Sequence, residues 1–104
     1  MSASARLSAG VGELRAEAAR LDGLALAAHA HASDLFGRRD PMGAGEVQRR
    51  AMDLDEAALE LRLQASELEA ALAHAILVET VAASLAPPSA SLPDRLVTGR
   101  RPMD

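Results

Sequence analysis

The chain carries two long runs in which apolar residues alternate steps of four and three positions, one on each side of a central break. The first run comprises Leu7, Val11, Leu14, Ala18, Leu21, Ala25, Ala28, Ala32 and Leu35. The second run comprises Val47, Ala51, Leu54, Ala58, Leu61, Ala65, Leu68 and Leu72. Steps of four and three keep side chains on one stripe of a helix. The pattern therefore predicts two amphipathic helices that fold back on each other.

The break contains the residues expected at helix ends. Gly37 suits the left-handed position just past a helix C-terminus. Asp40 followed by Pro41 is typical of a cap and a first helical residue. The predicted bounds are helix 1 over about 5–36, a turn over 37–45 and helix 2 over about 46–86. A start of helix 2 at Pro41 is the alternative, and Gly10 and Gly12 predict frayed first turns of helix 1.

The predicted fold class is all-α, an antiparallel two-helix hairpin resembling a coiled coil. Residues 1–86 form this hairpin, and the Pro-, Ser- and Arg-containing segment 87–104 is predicted to be a disordered tail. Alanines on the stripe from Ala25 onward would let the facing helix approach closely. The expected packing positions within the hairpin are Leu14, Leu21, Leu35, Val47, Leu54, Leu61, Leu68 and Leu72.

Helix 2 has a second apolar stripe on a helical wheel, about 140° from the first. The expected partner-binding residues on it are Met52, Leu59, Leu63, Leu77 and Val81. An exposed leucine stripe favours association, and with only 1% aromatic residues the two helices have little bulk for a core of their own. We therefore expect a dimer or a helical partner that completes a four-helix bundle. The alternative is that helix 1 lies between the stripes and covers parts of both.

Composition argues against several function classes. The net charge of −4 disfavours nucleic-acid binding, and the absence of cysteine removes disulfides and thiol catalysis. His29 and His31 point in different directions on a helix, and His74 is expected to lie away from His29, so no metal site is predicted. The acidic residues Asp53, Asp55, Glu56 and Glu60 are expected to form a solvated face. We expect no enzyme, no cofactor and no small-molecule substrate.

The chain is expected to lack a membrane span, because no run reaches about 18 consecutive apolar residues. The first residues, Met1 to Arg6, lack a basic region followed by an apolar core, which disfavours a cleaved secretory signal. The expected location is the cytoplasm, or outside the cell by export without a cleaved signal peptide.

The chain resembles the WXG-like (ESX-type) proteins of actinobacterial type VII secretion. Like them, it has about one hundred residues, two predicted long helices, and an aromatic residue followed by glycine at mid-chain. The turn residues that carry this resemblance are Phe36, Gly37, Asp40, Pro41 and Gly43. The resemblance covers about residues 5–86. The tryptophan of the family motif is absent, and Ala75 and Glu79 keep only the spacing of its tyrosine-based export signal. The resemblance therefore implies a partner subunit without its own signal, or a helical accessory of a larger effector.

Three functions follow in order of preference. The first is a partner-binding hairpin that acts as a chaperone-like or co-secreted subunit in type VII secretion. The second is a homodimeric four-helix structural protein with no role in secretion. The third is an antitoxin or regulator whose C-terminal tail, with Arg95, Arg100 and Arg101, acts on a target.

Overall fold

Residues 2–85 are described by a computed structural model, in which two helices pack against each other. Helix α1 spans Ala3–Gly37 (35 residues) and helix α2 spans Pro41–Leu85 (45 residues). No strand occurs between residues 2 and 85. The all-α helical hairpin is confirmed, and its completion to a four-helix bundle stays a prediction. The predicted tail, 87–104, lies outside the described residues.

Helix α1 is continuous from its first turn, which differs from the fraying expected at Gly10 and Gly12. Ser2 caps the helix, because its hydroxyl oxygen accepts a hydrogen bond of 3.1 Å from the Ala5 amide. Gly10 also has a packing role. A Cβ built on it would lie 3.3 Å from Cδ1 of Leu68, so the glycine leaves room for that leucine.

The turn holds the three residues Arg38–Asp40 and is shorter than the predicted 37–45. The Asp40 amide donates to the Leu35 carbonyl at 2.9 Å and the Arg39 amide to the Phe36 carbonyl at 3.1 Å. These are the two bonds of a Schellman ending. Its left-handed residue is Arg39, with φ of 62°. Gly37 is instead the last residue of α1, so the role expected for this glycine falls to an arginine.

Helix α2 begins at Pro41, at the alternative start and not at residue 46. Oδ1 of Asp40 accepts a hydrogen bond of 3.0 Å from the Gly43 amide, which caps the helix. A Cβ on Gly43 would clash with the carboxylate of Asp40, so Gly43 leaves space for that capping group. With this cap, Gly43 and Gly45 continue the helix and do not extend the loop.

The buried core consists of one row of small residues on each helix, with members seven positions apart. The rows are Val11, Ala18, Ala25 and Ala32 on α1, and Ala44, Ala51, Ala58 and Ala65 on α2. The eight packing residues expected from the sequence are all half-buried. Methyl groups at the seam let two helix backbones come close, and the longer leucine side chains then lie beside the seam where water still reaches them.

The chain divides into two compact units at Ala73 and His74. The buried rows of the hairpin and the turn lie in the first unit. The described part of the second unit is the helical segment 74–85, in which Ala75 is half-buried and all other residues are exposed.

Helix α2 meets the length and hydropathy requirement for a membrane span, although it has no run of about 18 consecutive apolar residues, and the expected lack of a span stays a prediction. It contains an 18-residue window of mean hydropathy 1.5, none of which is buried. Charged residues interrupt the apolar ones along this helix, so no unbroken apolar run of that length occurs. Length and composition are all that support a span, and a helix that packs in a soluble coiled coil meets the same requirement.

Candidate interaction surfaces

The half-buried residues beside the seam lie on one side of the hairpin, which we call the leucine face. It consists of Leu7, Leu14, Leu21 and Ala28 on α1, and Val47, Leu54, Leu61 and Leu68 on α2. Each residue stands three positions after, or four before, a member of the buried row. Near the turn the smaller Ala28 and Val47 leave a groove of about 850 Å³, which Leu24 and Leu54 also line. The leucine face is therefore apolar and partly open to water.

A second apolar surface lies on the outer side of α2. Within the first unit it consists of Met52, Leu59 and Leu63, whose exposed fractions are 58%, 55% and 54%. We call these three residues the outer row. A shallow groove beside it is bordered by Arg49 and Glu56. No residue of α1 covers the outer row, so the alternative in which α1 lies between the two stripes is not what the structure has.

The remaining residues predicted to bind a partner lie in the second unit. Leu77 is 60% exposed and Val81 is 46% exposed. Ile76, Val78 and Leu85 are also exposed there, so the apolar surface of segment 74–85 extends around the helix. The structure thus leaves all five predicted partner-binding residues accessible.

The side of the hairpin opposite the leucine face carries three charged pairs between the helices, which we call the charge ladder. Its rungs are Arg15 with Glu69 at 2.5 Å, Asp22 with Arg62, and His29 with Asp55 at 2.8 Å. The rungs lie seven residues apart on each helix and show that the helices run antiparallel. Every ladder side chain is between about a third and a half exposed. Each rung is therefore a modest interaction, screened by water.

His29 has acceptors on α2 at both ring nitrogens. Nε2 lies 2.8 Å from Oδ2 of Asp55, and Nδ1 lies 3.4 Å from Oε1 of Gln48. The hydrogen bond to Asp55 raises the pKa of His29 above its ordinary value, because the imidazolium donates to the carboxylate. His29 therefore joins the two helices most strongly when it is protonated.

Sequence reasoning expected Asp55 on a solvated face and did not compare the charges of one helix with those of the other. The signal for the ladder was nevertheless present. Opposite charges repeat every seven residues on both helices, at the positions just beside the buried rows. Aligning the two helices antiparallel and comparing their charges would have identified the charge ladder.

The predicted turn residues lie close together, and Phe36 is prominent among them. Its side chain is 70% exposed, and it borders a small groove with Pro41 and Ala44. Gly37, Asp40 and Gly43 serve the helix ends as described above. The acidic residues Asp53, Glu56 and Glu60 are exposed, whereas Asp55 belongs to the ladder.

Among residues 2–85 no three His, Cys, Asp or Glu side chains lie close enough to hold a metal ion. The surfaces of the described chain are apolar rows and ion pairs. Such surfaces can bind a protein helix by burying leucine and methionine side chains.

No known protein family, curated protein or solved structure matches the chain. The surfaces described above therefore carry the functional argument.

Proposed function

We propose that this chain is a non-catalytic helical hairpin that binds another helical protein, and that it serves type VII secretion as a chaperone-like or co-secreted subunit of a larger effector. The observation that carries the binding proposal is the outer row of α2. Three large apolar side chains, more than half exposed, follow one side of α2. Water contact at such a row is unfavourable, and a partner helix would remove it.

The mode of binding follows from the shape of the outer row. Met52 and Leu59 are seven residues apart and Leu63 is four further on, so the three side chains form a nearly straight line of anchors. A partner helix would place its own apolar residues between them. The hairpin presents these anchors rigidly, because the buried rows and the charge ladder hold α2 against α1. Little conformational entropy is then lost when the partner binds.

The binding proposal is tested by the double variant Leu59→Glu/Leu63→Glu, co-expressed with the products of the adjacent genes. We expect co-purification of a helical partner with the wild-type chain and its loss with the variant, while circular dichroism shows an unchanged helix content. The matched control is Ala16→Glu/Ala30→Glu, which adds the same charge at exposed positions of α1. A partner that remains bound to the Leu59/Leu63 variant would show that the outer row is not the binding surface.

The link to type VII secretion rests on the resemblance in length, hairpin architecture and the Phe36–Gly37 turn. It predicts that the chain, or its partner, reaches the culture medium without cleavage of a signal peptide. We expect a tagged chain in the medium of the native host and its absence there when the secretion system is deleted. Equal amounts of the tagged chain in the media of the native host and of the deletion strain would show that its binding role does not involve type VII secretion.

A homodimer with no secretion role is the second candidate, and the leucine face favours it. Six leucines on this face are only half-buried within one chain, so a second copy could cover them. Light scattering on a sizing column distinguishes the candidates. A helical species of twice 10.8 kDa would favour the homodimer, whereas a poorly helical or aggregating monomer would favour a missing heterologous partner.

A further inference from the structure

Acidic side chains border the part of the outer row nearest the turn. Asp53 and Glu56 line the same shallow groove as Met52 and Leu59, and both acidic residues are exposed. Arg49 also lines this groove, but at its end nearest the turn. A molecule that contacts Met52 and Leu59 from outside the chain therefore comes close to negative charge.

The acidic side chains continue along α2 past Leu63. Glu60 stands three residues before Leu63 and Glu67 four after it, and these spacings place side chains next to each other on a helix surface. Both glutamates are exposed, and Glu60 accepts a long hydrogen bond of 3.5 Å from the Gln64 amide. The outer row thus has an acidic border, which consists of Asp53, Glu56, Glu60 and Glu67.

The cations of the hairpin do not neutralise the acidic border. Between residues 51 and 73 the one basic residue of α2 is Arg62, which pairs with Asp22 in the charge ladder. Asp55 and Glu69, the other acidic residues of this stretch, belong to the ladder as well. None of the ion pairs found among residues 2–85 includes a member of the acidic border. Its four carboxylates are therefore available to cations of another molecule.

The sign of the acidic border disfavours several occupants of the outer row. Nucleic acids and anionic lipid headgroups are negatively charged, so the border would repel them. A second copy that docked its own outer row would bring a second acidic border against the first. A helix with an apolar stripe and with arginine or lysine beside that stripe matches both the apolar anchors and the carboxylates.

We propose that the partner of the outer row is a basic amphipathic helix. Its apolar stripe packs on Met52, Leu59 and Leu63, and its flanking arginine or lysine side chains pair with the acidic border. This inference rests on the proposed binding function and adds to it the chemistry of the partner. Ion pairs at the exposed edge of an interface each add little affinity, but several of one sign speed association and select the partner.

Two synthetic helical peptides test the charge preference of the full chain. Both carry the same leucine stripe, and one has arginine where the other has glutamate beside that stripe. In about 0.1 M salt we expect the arginine peptide to bind about tenfold more tightly, measured by fluorescence anisotropy. In about 1 M salt, where the screening length falls from about 10 Å to about 3 Å, the difference should largely disappear.

Two double variants separate the acidic border from the overall charge of the chain. Asp53→Asn/Glu60→Gln removes two negative charges beside the outer row, and Ala16→Arg/Ala30→Arg changes the net charge equally at exposed positions of α1. We expect the first variant to bind the arginine peptide several-fold more weakly, mainly through slower association, and the second to bind it almost as the wild-type chain does. Equal weakening by both variants would overturn the proposal, because net charge alone would then attract the peptide.

The variant Leu59→Glu/Leu63→Glu distinguishes this inference from the binding function on which it rests. We expect it to lose the arginine peptide although its surface is more acidic, because the apolar anchors are gone. If the wild-type chain binds both peptides equally, the partner need not be basic, and this inference alone is overturned. If it binds neither, the outer row does not bind helices and both proposals fail. Self-association of the wild-type chain that this variant abolishes would make a second copy the occupant and would also overturn the inference.

Discussion

At the scale of single residues, the backbone of the turn is strained at Arg39. Arg39 adopts the left-handed conformation that closes the Schellman ending, a backbone region in which a Cβ is unfavourable. Replacing it by glycine removes that cost. We expect Arg39→Gly to raise the free energy of unfolding by about 0.5–1 kcal/mol, after the greater freedom of glycine in the unfolded chain is subtracted.

Urea unfolding followed by circular dichroism measures this change. The neighbouring variant Arg38→Gly is the control, because Arg38 has a φ of −88° that any residue adopts. It should leave stability unchanged or lower it. Equal effects of the two variants would mean that the left-handed conformation is not the source of the strain.

The capping carboxylate of Asp40 is the second residue-scale feature. It accepts the Gly43 amide hydrogen bond at the start of α2, where no carbonyl of the helix can reach. We expect Asp40→Ala to lower the free energy of unfolding by about 1 kcal/mol. Thermal unfolding measures the loss, and Asp53→Ala, at an exposed position in the interior of α2, should have a smaller effect.

At the scale of the helices, the alanine rows decide how closely α1 and α2 approach. Ala51 is completely buried, whereas Ala57 on the same helix is exposed. A leucine at position 51 would push the helices apart. We expect Ala51→Leu to lower the free energy of unfolding by about 1–3 kcal/mol, and Ala57→Leu to leave it nearly unchanged. Denaturant unfolding of both variants tests this, and an unaffected Ala51→Leu would show that the seam is loosely packed.

At the scale of the whole hairpin, His29 makes stability depend on pH. Its pKa is raised in the folded chain by the hydrogen bond to Asp55, so the folded state binds the proton more tightly than the unfolded state. The stabilisation is complete below the unfolded pKa, about 6.5, and is lost as pH rises through the higher folded pKa. We therefore expect the free energy of unfolding to fall as pH rises from the unfolded pKa through the higher pKa of folded His29.

Comparing the wild-type chain with His29→Ala at pH 5.5 and pH 8.5 isolates this contribution. The destabilisation caused by the substitution should be larger at the lower pH. His31→Ala is the matched control, because His31 is exposed and takes no part in the ladder. If His29→Ala lowers the free energy of unfolding equally at both pH values, protonated His29 does not join the helices.

How much of this molecule could be predicted from the sequence depends on the kind of interaction. Steps of four and three predicted the hairpin because amphipathic periodicity depends on one helix at a time. The Asp40–Pro41 start of α2 was available only as an alternative, because it competes with the glycines that follow. The charge ladder was missed, because opposite charges on two helices are informative only once the helices are aligned.

Two helices with apolar stripes, and spare apolar residues on the outer side of one of them, can be predicted from the residues alone. The burial of the alanines and not the leucines, the left-handed conformation of Arg39 and the pairing of the charges are visible only once the two helices are packed. Helix formation and amphipathicity are local, whereas burial and ion pairing depend on how closely, and in which register, two repeating surfaces meet.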